Sequence, residues 1–146
     1  MVTIEEQVSL AAPPEKVFAT LTDPAAYPRW IADVQSVRTD GPFQAGSRFE
    51  EVTRIGRKDK ASAGSVIAVE SPRRLVLQVT EVRSGPKLFP TRTFTLEPLN
   101  GGTLLRWRTD LRTGGAARLL EPFLPRLFRR KKRGYLAALE HLVERL

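Results

Sequence analysis

The chain has 146 residues, 41% of them hydrophobic, with a formal net charge of +8 and no cysteine. That length suits one ordinary domain with a core large enough to hold without staples. The missing cysteine excludes disulfide scaffolds, thiol nucleophiles and cysteine-based metal sites. The charge is uneven: residues 116–146 carry eight Lys/Arg against three Glu, a net of +5, and the remainder only +3.

The N-terminus has no basic segment followed by a long apolar run, so no signal peptide is expected, and no stretch is apolar enough to span a bilayer. The expectation is a cytoplasmic protein forming a single domain over residues 1–146. Val2, Ile4, Val8 and Leu10 share one parity, and polar residues occupy the other, which reads as a half-buried strand. Ala12-Pro13-Pro14 breaks it. Val17, Phe18 and Leu21 give a short helix over about 14–22, and Asp23-Pro24 opens a second that ends near Tyr27-Pro28.

Six strand-like runs follow, separated by turn residues: about 34–40, 47–55, 62–70, 74–83, 91–97 and 103–111. Asn100-Gly101-Gly102 is a hairpin signal between the last two. Beyond Gly114-Gly115, apolar residues recur at helical spacing up to Leu146, with Pro122 and Pro125 predicting a bent start and a regular helix from about Pro125. One strand, two short helices, six strands and a long helix is an α+β order. Short connections favour antiparallel pairing. The last helix can bury its apolar face only on the concave side of the sheet.

Within this order the chain resembles the SRPBCC superfamily, which includes START domains, the birch pollen allergen and polyketide cyclase/dehydrase proteins. The carriers are Ala12-Pro13-Pro14-Glu15-Lys16-Val17-Phe18, Leu21-Thr22-Asp23-Pro24 running to Tyr27-Pro28-Arg29-Trp30, Gly46-Ser47-Arg48-Phe49, Phe94-Thr95-Leu96-Glu97-Pro98, and Gly101-Gly102-Thr103-Leu104-Leu105-Arg106-Trp107. The resemblance covers nearly the whole chain. It implies a helix-grip fold, a seven-stranded curved antiparallel sheet around the C-terminal helix. Between sheet and helix it implies a cavity for a lipid, polyketide or other hydrophobic compound. It implies no common catalytic set, so no catalytic residue carries over.

Strand parity places Leu77 and Val79, Phe94, and Leu105 and Trp107 towards the helix, which offers Leu124, Phe128 and Tyr135 in return. These positions form either a cavity wall or a packed core, and a curved sheet under one helix favours the cavity. Trp30 and Tyr27 are expected near its mouth, or else in the core. Arg92 and Glu6 fall at inward parity; Phe49, expected to point inward and meet the ligand, would bring Glu51 in with them. A buried charge needs a partner. Glu6 or Glu51 with Arg92 would then fix a ligand's polar end or do acid-base work; the alternative puts them at strand ends in water.

His141, the one histidine, has no metal-binding or catalytic companions in sequence. No Gly-rich phosphate loop or metal-ligand cluster occurs, so no cofactor is expected. The run Arg126, Arg129, Arg130, Lys131, Lys132 and Arg133 would wrap more than half of a helix. It reads as a solvated face, an anionic-membrane contact with Leu127 and Phe128 dipping in, a nucleic-acid contact, or a protein contact. Three functions compete: a binder of a hydrophobic small molecule, a cyclase/dehydratase-type enzyme using polar cavity residues, and a basic-helix interaction module.

Overall fold

The computed structural model describes residues 1–144. Strand β1 (Val2–Leu10) leads into α1 (Pro14–Leu21), a 3₁₀ turn over Pro24–Ala26 and α2 (Tyr27–Trp30). Six strands follow: β2 (Val34–Arg38), β3 (Arg48–Ile55), β4 (Lys58–Glu70), β5 (Arg74–Ser84), β6 (Leu88–Leu99) and β7 (Gly102–Thr113). A 3₁₀ segment, Gly115–Leu120, precedes α3 (Leu124–Glu144). All seven strands form one antiparallel sheet in the order β1-β7-β6-β5-β4-β3-β2. The α+β helix-grip expectation holds.

Local chemistry explains the boundaries. Asp23 caps the 3₁₀ turn, its Oδ1 accepting from Ala25 N at 3.1 Å. Pro122 and Pro125 fall where the chain changes from 3₁₀ to α, so the missing donors cost no interior helix bond. Strand β4 begins at Lys58, four residues before the predicted start, because Gly56 takes a positive φ of 64° and turns the chain straight back. Strand β6 likewise runs through Pro90 and Pro98. β5 pairs with β6 only over Arg74–Gln78 and Thr91–Thr95, so Pro90 needs no donor on that side.

That limited pairing shapes the domain. Past Gln78, β5 stays with β4 while β6 stays with β7. Register shifts in the β4–β5 ladder at three places bend the sheet further. At Gly64 the bend brings backbone so close that an added Cβ would lie 2.0 Å from Gln78 O. Helix α3 crosses the concave face. Leu136, Leu139 and Val143, spaced at three and four residues, are buried there, each contributing about 1.5–3 kcal/mol.

Most of the hollow is filled. Trp30 and Tyr27 are each only 1% exposed and stack into an aromatic cluster with Phe43, Phe49, Phe94 and Trp107. Leu75, Leu77, Val79, Leu96 and Leu105 pack around it. A smaller cluster of Leu88, Leu111, Ala117 and Leu124 sits under the start of α3. Among the described residues no helix is long and apolar enough to cross a membrane.

Candidate functional site

Space remains where β5 has left β6. A pocket of about 90 Å³ opens there, walled by β3, β4, β6, β7, the α2–β2 connection and the first half of α3. No residue of β5 lines it. Its apolar wall includes Ile31, Val34, Leu88, Leu111, Trp107 and Phe128. Its polar side is formed by Thr53, Lys60, Arg92, Thr109 and Lys132. Half-buried Asp33, Ile55, Lys131 and Tyr135 stand at the edge.

Of the residues predicted to bind a ligand, Arg92, Trp107, Phe128 and Tyr135 line this pocket. Trp30, Phe49, Leu77, Val79, Phe94 and Leu105 do not: they pack into the main core. Leu124 belongs to the smaller cluster. Trp30 and Tyr27 therefore form no mouth. Large rings at six positions fill the upper hollow solidly, and strand parity cannot tell a filled space from an empty one.

Glu51 lies behind the pocket and holds Arg92. The guanidinium donates through Nη1 to Oε2 and through Nη2 to Oε1, both at 2.7 Å. Thr53 Oγ1 adds a bond to Glu51 Oε1 at 2.8 Å. Glu51 is 2% exposed and the Arg92 side chain 13%, so neither stands in water at a strand end. Burial pushes the Glu51 carboxyl up, but the charge and hydrogen bonds of Arg92, with Thr53, outweigh it and keep it below the usual range. Glu6 takes no part. It faces Arg133 at 3.6 Å instead, on the edge strand β1 beyond β7.

Lys60 was not predicted. It pairs across from Thr53 in the β3–β4 ladder, which turns its side chain inward, and it is 5% exposed. No hydrogen bond or ion pair reaches its Nζ among the described residues. Burial pushes its ammonium down to about 8, with the Arg92 charge adding to the effect and Glu51 opposing it.

Lys132 departs from the expected outward basic face. It is 3% exposed and points inward. Its Nζ donates to Ile4 O at 3.0 Å and Trp107 O at 3.3 Å and lies 4.7 Å from the Trp107 ring centre. Burial, then Arg92, pushes its ammonium down to about 7. Trp107 Nε1–H is itself buried without an acceptor among the described residues, as is that of Trp30.

Asp33, also unpredicted, clasps α3 across the pocket edge. Its Oδ2 accepts from Lys131 Nζ at 2.9 Å and from the Tyr135 hydroxyl in a short bond. Burial alone would raise the Asp33 carboxyl; the bonds from Tyr135 and Lys131 hold it below the usual range. Lys131 is therefore not a free surface charge either. Among the described residues there is no cluster of acidic, histidine or cysteine side chains placed to hold a metal.

A curved sheet gripping a terminal helix, with a pocket between them, defines a helix-grip protein of the SRPBCC superfamily. Within it, the chain belongs to the family described as polyketide cyclase/dehydrase and lipid transport, whose family model matches residues 1–146. No curated protein matches the sequence. Among solved structures it is similar to a START superfamily protein from Mycobacterium smegmatis (19% identity, 98% of this chain and 97% of that one, TM-score 0.80). A conserved protein from Geobacillus kaustophilus is also similar (16% identity, 99% and 96% covered, TM-score 0.82). So is Ara h 8.0201 (19% identity, 99% of both chains, TM-score 0.74). Identities this low establish the shared fold.

Proposed function

We propose that this protein binds a small amphipathic molecule, seating a carboxylate or similar anionic end at Lys60 and an apolar body against Ile31, Val34, Leu88, Leu111 and Phe128. The observation that carries the reading is a charge imbalance. Of the charged side chains around the pocket, Arg92 is neutralised by Glu51 and Lys131 by Asp33. Lys132 rests on two carbonyls and an aromatic face. Among the described residues Lys60 alone is left without a partner, a largely buried side chain whose ammonium meets the pocket, and an incoming anion would supply the missing counter-charge.

The size of the pocket supports a compact ligand, or the polar head of a longer one, since about 90 Å³ is well below a drug-sized site. Proton transfer by Glu51 on a polyketide-like substrate has less support. Both of its oxygens are taken by Arg92, and it does not line the pocket.

Calorimetric titration with medium-chain alkanoates, aryl carboxylates and the matched alcohols tests this. The acids should bind roughly tenfold or more tightly than the alcohols, as a charge-assisted hydrogen bond implies, and Lys60→Met should erase the difference. Equal affinity for acid and alcohol in the wild-type protein would overturn it.

A further inference from the structure

Seven large apolar side chains are strongly exposed among the described residues, and four of them fall within nine consecutive positions. They are Leu119 at 80%, Leu120 at 51%, Phe123 at 70% and Leu127 at 50%. The chain passes here from the 3₁₀ segment through one turn into α3: Phe123 N bonds Leu120 O at 2.9 Å, and Leu127 N bonds Phe123 O at 3.3 Å. Residues three and four apart on such a backbone are neighbours. The two bonds stack Leu120, Phe123 and Leu127 along one ridge, with Leu119 adjoining its first residue.

The ridge is bordered by cations. Arg126 and Arg130 lie three and seven residues past Phe123, on the same side, and Arg118 and Arg129 flank the ends. All four are exposed, and none makes an ion pair among the described residues. The inward turn of Lys132, the engagement of Lys131 by Asp33 and the pairing of Arg133 with Glu6 separate Arg126, Arg129 and Arg130 from the rest of the basic run.

We infer that this ridge is a docking surface for an anionic phospholipid bilayer, with the four apolar side chains entering the interface and the arginines meeting phosphate headgroups. The combination selects this partner. A nucleic acid would use the arginines but would leave aliphatic leucines against phosphates. A second copy of the chain would match the apolar ridge but set arginine against arginine. Phe128 and Lys131, which line the pocket, lie on the next turn of α3, so a docked protein holds the pocket edge near the headgroups. The docking stands independently of the ligand reading.

Vesicle co-sedimentation of the full chain tests it, using phosphatidylcholine alone and phosphatidylcholine with about one third phosphatidylglycerol. The wild-type protein should bind the anionic vesicles and not the neutral ones. Arg126→Gln with Arg130→Gln should lower partitioning roughly 25-fold, about fivefold per arginine. Phe123→Ser with Leu127→Ser should lower it at least tenfold. Phe123→Trp, a separate variant that keeps the apolar ridge, should be quenched by brominated lipid only when the vesicles are anionic. Equal binding to both vesicles, no loss in either double variant, or an unquenched Trp would overturn the inference. So would sedimentation showing a dimer that Phe123→Ser dissolves, or arginine-dependent binding of an RNA oligomer without vesicle binding.

Discussion

Glu51 and Arg92 join strands that are not neighbours. Glu51 is on β3 and Arg92 on β6, with β4 and β5 between them in the sheet, yet two 2.7 Å bonds connect the side chains. Only a sheet curled on itself brings those faces together. The pair therefore ties the concave side across the hollow, at the point where β5 and β6 part.

Breaking one partner should be far worse than removing both. Glu51→Leu leaves a buried guanidinium alone, and Arg92→Leu leaves a buried carboxylate; each should cost about 3–5 kcal/mol in urea unfolding. The Glu51→Leu/Arg92→Leu double variant should recover most of that loss, since two apolar side chains need no counter-charge. Additive losses in the double variant would show that curvature here does not depend on charge pairing.

The sequence carried the seven strands and the long helix because period 2 and period 3.6 are strong signals in Val2–Leu10 and Leu136–Val143. It also carried Arg92, Glu51 and Trp107, each by parity with apolar neighbours. Lys60 was hidden because Arg57-Lys58-Asp59-Lys60 reads as a polar turn. Only its register opposite Thr53 turns it inward. Lys132 was masked by five flanking cations, though its spacing to Phe128, Leu136 and Leu139 is that of the buried stripe. Asp33 offers no local signal, since its partners lie about a hundred residues away in sequence. The wall residues that turned out to be core, Trp30 and Leu77 among them, show a different limit: side-chain volume decides whether a concave face is filled.

The clasp at Asp33 should govern exchange. Lys131 and Tyr135 both bond one oxygen of Asp33, so α3 is pinned to the α2–β2 connection over the pocket edge. Asp33→Ala removes the pin and frees the Lys131 charge. Stopped-flow binding of a fluorescent aryl carboxylate should then show faster dissociation, and also faster association because an anion meets an added cation. Two unchanged rates would mean that the clasp leaves the entrance alone.

Lys132 makes stability depend on pH in a stated direction. In the folded protein its ammonium gives up its proton near 7, whereas the unfolded chain holds it until about 10.5. Between those values the unfolded state binds more protons, so stability rises with pH. Lys60 acts with the same sign from about 8 upwards. The melting temperature should therefore climb from about pH 7 to pH 9, and Lys132→Met should flatten the climb. A wild-type melting temperature that falls across this range would contradict the assigned burial of Lys132.

Lys60 should also couple binding to protonation. Its free ammonium titrates near 8, and an adjacent carboxylate favours the charged form, raising that value in the complex. Above about pH 8 the complex must then take up a proton at Lys60 on forming, so affinity falls above that pH. The ligand's own carboxylate is ionised throughout, so the proton belongs to the protein. Calorimetry at about pH 9 in two buffers of different ionisation enthalpy should give different apparent binding enthalpies, and at about pH 6.5 equal ones. Lys60→Met should remove the buffer dependence while leaving the fold intact, because its methylene stem still fills the space. Identical enthalpies in both buffers at the higher pH, with binding retained, would place the anionic end somewhere other than Lys60.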